Sequence, residues 1–153
     1  MEFTSIEAIL EFAIEKEKEA VAFYKKLSQK ESIADLAKTF NDLAKEEARH
    51  VKLLTNITKN KTVIDSYALK KVPNLKISDY LVVMEYSEGM PMQDILILAM
   101  KREEAAVKLY TDFAIGSKND EFTKLFRLLA QEEAKHKLIF ECAYDDYQIG
   151  QGN

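Results

Sequence analysis

Apolar residues recur at helical spacing in four long stretches of this chain. In the first, Ile6, Ile9, Leu10, Ala13, Ala20, Val21 and Tyr24 share one face, with Glu17 set among them. The second carries Phe40, Leu43, Ala44, Val51 and Leu54, interrupted by Glu47 and His50. The third carries Ile95, Leu96, Ala99, Ala106, Val107 and Tyr110, interrupted by Glu103. The fourth carries Phe126, Leu129, Ala130, Ile139 and Phe140, interrupted by Glu133 and His136. Glycine and proline are absent from most of this length, and Ala, Glu, Lys and Leu fill it. The pattern predicts helices at about 5–30, 33–59, 92–116 and 119–149. Thr4 with Glu7, and Ser32 with Asp35, have capping-box spacing; Pro91 suits a first helical turn and Gly116 a helix stop.

The second half of the chain repeats the first. With a shift of 86 residues, positions 6–54 overlie 92–140 without a gap, and 15 of the 49 pairs are identical. Both histidines and both tyrosines Tyr24 and Tyr110 coincide in that register. The chain therefore reads as a single all-α domain over 1–153, made of two copies of one helical hairpin, about 5–59 and about 92–149. The connector, about 60–91, is too long for a simple turn between antiparallel neighbours. It spans a helix length even with a short helix around Ser78–Tyr86. The expected topology is a four-helix bundle with one long crossover between the second and third helices and an internal pseudo-twofold axis.

Carboxylates on apolar faces require compensation. Each predicted hairpin aims two glutamates and one histidine inward: Glu17, Glu47 and His50 in one, Glu103, Glu133 and His136 in the other. Four buried carboxylates repel one another, and an isolated buried one costs several kcal/mol or more. No lysine or arginine stands on these stripes at that level. Two divalent cations would balance four negative charges. Glu-x-x-His places both side chains on one helix face, one turn apart, so the glutamate can bridge two metals while the histidine binds one. The competing reading is a bundle whose Glu and His lie on the surface. The neighbours Glu15, Glu19, Glu46, Glu104 and Glu132 read as solvated faces.

Composition narrows the partners. Charged residues make up 31% and apolar residues 47%, with a net charge of −4. That is a globular composition without the basic face a phosphate backbone needs, so no nucleic acid is expected. No apolar run of membrane-spanning length and no leader pattern is present, and the expected compartment is the cytoplasm. The single cysteine, Cys142, excludes an intrachain disulfide and reads as a small buried hydrophobe off the ligand face. Met84, Met90, Met92 and Met100 read as packing.

Two Glu-x-x-His pairs at one repeat offset, each with its own single glutamate, resemble the ferritin-like superfamily. Within it, the chain over residues 5–145 looks like the rubrerythrin-like proteins; the Glu17–Tyr24 and Glu103–Tyr110 spacings share in this likeness. The resemblance implies a di-iron site held by Glu17, Glu47, His50, Glu103, Glu133 and His136, with manganese or zinc as other occupants. It also implies Tyr24 and Tyr110 as hydrogen-bond partners of the ligand carboxylates; ordinary core tyrosines are the equal alternative. The implied activity is reduction of peroxide or dioxygen. The alternative is an iron-handling, ferroxidase-type protein without an organic substrate, and a third class is a structural bundle without metal. Two departures bear on activity. Rubrerythrins proper carry a further glutamate where this chain has Ala106, and they usually carry two Cys-x-x-Cys knuckles, for which Cys142 alone is no substitute. Turnover is therefore expected to need a separate electron donor, a rubredoxin-like or flavin protein, and a homodimer is the candidate assembly.

Overall fold

The computed structural model describes residues 6–30, 35–60, 77–117 and 119–152. Four long helices account for most of them, and no β-strand occurs among the described residues. They are α1 (Ile6–Ser28), α2 (Ala37–Lys59), α3 (Met92–Gly116) and α4 (Asp120–Gly152). The chain divides into two compact units, one holding α1 and α2 and the other α3 and α4.

In the first unit α1 packs on α2. The helices run antiparallel, because Glu17 faces His50 while Tyr24, further along α1, faces Phe40, further back on α2. The buried face of α1 is Ile6, Ile9, Leu10, Ala13, Glu17, Phe23, Tyr24 and Leu27; that of α2 is Phe40, Leu43, Ala44, Glu47, His50 and Leu54. Burial of apolar side chains at this spacing drives each helix onto its partner at about 1.5–3 kcal/mol per large side chain.

The second unit repeats this packing. Glu103 faces His136 and Tyr110 faces Phe126, so α3 and α4 are also antiparallel. Ile95, Leu96, Ala99, Glu103, Leu109, Tyr110 and Phe113 are buried on α3 at the positions that Ile9, Leu10, Ala13, Glu17, Phe23, Tyr24 and Leu27 occupy on α1. Phe126, Leu129, Glu133, His136 and Phe140 do the same for α4. The 86-residue shift is thus a repeat of burial as well as of identity.

The helix ends differ from the sequence expectation in instructive ways. Helix α2 starts at Ala37, not near 33; Asp35 and Leu36 form a tighter turn first, and Leu36 supplies no side-chain cap. Thr4 and Ser32, and hence both capping boxes, lie outside the described residues, as do residues 61–76 of the connector and hence its crossover. Pro91 is the residue before α3, and its carbonyl accepts the first helical bond from Ile95 N–H at 3.0 Å. Gly116 is the last helical residue of α3 without a positive φ, so it stops the helix by position and not by a left-handed cap. The strongest cap went unread in the sequence: Asn119 Oδ1 accepts from the backbone N–H of Glu121 (2.9 Å) and Phe122 (3.3 Å), opening α4.

The helix expected around Ser78–Tyr86 is a single 3-10 turn, Ile77–Tyr80. From Leu81 to Ser87 the chain is non-helical, with exposed and half-buried residues alternating. The adjacent β-branched Val82 and Val83 favour that outcome. Tyr80 anchors the turn to α3. It is buried, its hydroxyl donates to Asp112 Oδ2 at 2.8 Å, and Lys108 Nζ meets the same carboxylate at 2.8 Å. A β-turn at Ser87–Met90 then leads into α3, and Gly89 takes the positive φ of 81° that such a turn requires. Two apolar assignments fail. Ile139 is 41% exposed and Cys142 is exposed. Relative to the mean of the buried α4 face they stand roughly 100° and 160° off, too far round to reach the core.

Candidate metal centre

Helix α1 supplies Glu17, and α2 supplies Glu47 and His50 one turn apart. All three side chains are buried in the core of the first unit. His50 Nδ1 lies 3.5 Å from Glu17 Oε1 and 3.4 Å from Glu47 Oε2. In the second unit, His136 Nδ1 lies 3.6 Å from Glu103 Oε1 and 3.6 Å from Glu133 Oε2, again fully buried. Within each triad every residue offers one ligand atom within 4.8 Å of the others. Among the described residues, metal-competent groups of His, Cys, Asp and Glu are drawn from these six alone. Metal candidacy therefore falls on the six residues picked from the stripes, and the structure brings them together three by three.

These separations have a chemical reading. A charge-assisted N–H···O bond closes to about 2.7–2.9 Å. Two ligands held at about 2.0–2.2 Å from one cation, at right-angled or tetrahedral bite, stand roughly 3.0–3.5 Å apart. At 3.4–3.6 Å the nitrogen and oxygen atoms stand farther apart than in a tight hydrogen bond and close to the upper end of that range. Imidazole nitrogen with carboxylate oxygen is a donor set suited to iron, manganese or zinc.

The electrostatics of the first triad are strained without a cation. Burial, reinforced by the adjacent Glu47 carboxylate, pushes Glu17 from its ordinary 4.5 up to about 8; His50 opposes the shift. The core holds this carboxyl most easily when it is neutral, or when positive charge sits beside it.

Two turns beyond each single glutamate lies a tyrosine. Tyr24 is buried and stacks on Phe40 at 6.0 Å; Tyr110 is buried and stacks on Phe126 at 6.3 Å. Their ring partners coincide under the repeat, so each unit carries its own stacked tyrosine–phenylalanine pair. Glu15, Glu19 and Glu104 are exposed, in line with expectation, whereas Glu46 and Glu132 are half-buried and engaged in contacts of their own. Ala106, half-buried on α3, adds no further carboxylate.

Comparisons with known proteins agree with this geometry. A family profile described as Rubrerythrin matches residues 8–79 and 94–152. A solved structure from Pyrococcus furiosus, described as a hypothetical protein, is 29% identical, with 90% of this chain and 86% of that chain covered at a TM-score of 0.68. No curated protein matches the chain.

Proposed function

This chain belongs to the rubrerythrin family, whose fold class is the all-α ferritin-like four-helix bundle, and on that premise we propose that it is a non-haem di-iron oxidoreductase. The observation that carries the proposal is the duplicated buried triad, Glu17/Glu47/His50 and Glu103/Glu133/His136. The two triads together supply four carboxylates and two imidazoles, the complement that neutralises and binds two divalent ions.

When bound, a pair of ferrous ions supplies the two electrons that convert hydrogen peroxide and two protons into two waters. The chain's own residues hold the ions and keep the site dry. Glu47 and Glu133, each one turn before a histidine, would hold the ions together with Glu17, Glu103, His50 and His136, and would supply the negative charge that balances them. Tyr24 and Tyr110 lie two turns on, on helices whose side chains lean back toward the N-terminus, and so are aimed toward the carboxylates they would orient. Electrons come from a separate rubredoxin-like or flavin protein, because Cys142 cannot cycle as a dithiol. The proposal places the protein in the cytoplasm, where such donors and ferrous iron occur; among the described residues no helix is long and apolar enough to cross a membrane.

Elemental analysis after anaerobic iron loading tests the site: about two irons per chain are expected, and none after careful loading would reject it. Stopped-flow oxidation of the loaded protein then separates the reactions. Rapid single-turnover oxidation by peroxide, made continuous by a donor protein, is the expected result. Oxidation by dioxygen with many irons accumulating per chain would replace the proposal with iron handling.

A further inference from the structure

On α2, every exposed charged side chain beyond Asp42 is basic: Lys45, Arg49, Lys52 and Lys59. Lys45, Arg49 and Lys52 follow one another at steps of 4 and 3 and form one row on the helix. None of the four makes an ion pair within the described residues. The helix dipole accounts for Lys59, in the last turn, and for none of the others. Like charges one turn apart weaken a helix, so the row works against the element that carries it.

The repeat separates this row from the metal donors. Glu47 and His50 recur as Glu133 and His136, whereas Lys45, Arg49 and Lys52 become Gln131, Lys135 and Leu138. Two of the three charges are lost where both donors are kept. The net charge of −4 hides the row, because carboxylates elsewhere in the chain outnumber it. The row also stands in register with the first triad. At about 100° per residue, Glu47 and His50 lie roughly 160° round α2 from the mean of the three basic residues. Arg49 is bonded directly to His50. A molecule resting on the row is therefore separated from the imidazole by one helix width, about 10–12 Å with side chains.

We propose that the Lys45–Arg49–Lys52 row is where an acidic electron-donor protein docks, delivering electrons across α2 to the site at Glu47 and His50; the inference rests on the oxidoreductase reading above. Each encounter oxidises the donor by one electron and reduces one iron by one, so two encounters restore the two electrons that one peroxide takes. Charge and extent select the occupant. A compact acidic patch complements three positive charges within about 10 Å of helix. A long phosphate backbone needs basic charge beyond the row, and α1 of the same hairpin exposes Glu7, Glu11, Glu15 and Glu19 instead. Leu53, exposed next to Lys52, adds an apolar contact at the edge of the patch. Charge steering speeds encounter without tight binding, which suits a donor that must leave after each electron.

Two measurements test the surface, with an acidic rubredoxin as the probe. Titration of the probe into the metal-free chain reads docking apart from the iron. Stopped-flow reduction of the oxidised, iron-loaded chain by the same probe reads electron delivery. Lys45→Glu combined with Arg49→Glu and Lys52→Glu should lower both affinity and reduction rate by at least about tenfold, the low end of what charge steering supplies. It should also flatten their dependence on salt. Glutamine at the same three positions should give a smaller loss. Lys101→Glu combined with Lys124→Glu and Lys135→Glu, exposed in the other hairpin and equal in charge change, should leave both unchanged. Dithionite, which needs no docking, should reduce every variant at one rate. Equal affinity and equal reduction by the probe in the wild type and the triple glutamate variant overturn the docking surface and leave the metal site standing. Failure of the wild type to load iron rejects the metal reading, and the metal-free titration still decides the docking. Row-dependent binding of phosphatidylserine vesicles or single-stranded DNA, without binding of the probe, overturns the proposal in favour of a lipid or nucleic-acid partner.

Discussion

A glutamic acid held at about 8 changes how stability depends on pH. In the metal-free protein, Glu17 is protonated in both folded and unfolded chains below pH 4.5. Between there and about 8 the folded chain keeps a proton that the unfolded chain has released. Stability from this group therefore declines as pH rises through that window and levels off above it. Thermal melts of chelator-treated protein at pH 5.5, 7 and 8.5 should show that decline; a rise over the same interval would show that Glu17 ionises freely. A bound cation displaces the proton, so metal affinity should increase across the same interval. The ligand candidates give a second prediction. Glu47→Ala and Glu133→Ala should weaken iron binding to similar degrees, each by at least about 100-fold, given that losing a mere orienting partner costs about 10–100-fold. Exposed Glu15→Ala should leave binding unchanged, and isothermal titration separates these outcomes. At this scale the sequence was highly legible. Glu17 and its twin Glu103, 86 residues later, are both buried among apolar side chains, as their place in the stripe predicts. Half-buried Glu46 and Glu132 were misread as solvated, because a face about 100° from the core is still shared with neighbouring turns.

Individual elements were less legible at their ends than in their middles. Periodicity locates a helix by the many residues of its buried face, but a terminus depends on a few backbone groups. Asn119 is the example. Asp120 and Glu121 after it mark a helix start, but only the structure shows its side chain taking two backbone donors at the start of α4. Asn119→Ala should cost about 1 kcal/mol in a urea unfolding curve, within the range of about 0.5–2 for lost caps. Asn119→Asp should cost much less, because a carboxylate accepts the same bonds. The 3-10 turn at Ile77–Tyr80 shows the opposite limit. Its position is set by a contact 32 residues away, Tyr80 to Asp112, which no local pattern encodes. Burial, with Asp112 adding to it, raises the Tyr80 hydroxyl well above its ordinary value, so it remains a donor at every physiological pH.

For the molecule as a whole, the two triads make bound metal part of the folding free energy. Ions that bind the native state alone stabilise it by about 2.7 kcal/mol at a hundredfold excess over the dissociation constant. For a chain of this length that corresponds to roughly 5–10 °C in unfolding temperature. Differential scanning calorimetry of loaded and chelated protein should show a loss of that size, and equal transitions would mean the carboxylates are not neutralised by metal. The sequence revealed the doubling of the chain because repeated helices must repeat their spacing. It said little about residues 81–91, where the chain leaves periodic structure. The doubling also dictates where the gene can change length. Glu17 and Glu47 are 30 residues apart, as are Glu103 and Glu133, although the turns between them differ. Deleting one codon inside α1 after Glu17 would swing that carboxylate by about 100° relative to the rest of its hairpin. The same deletion between Lys59 and Ile77 would move none of the six donors within its own triad. Insertions and losses of codons should therefore be harmless to each triad in that interval and past His136, and ruinous in the helical parts of the two thirty-residue spans.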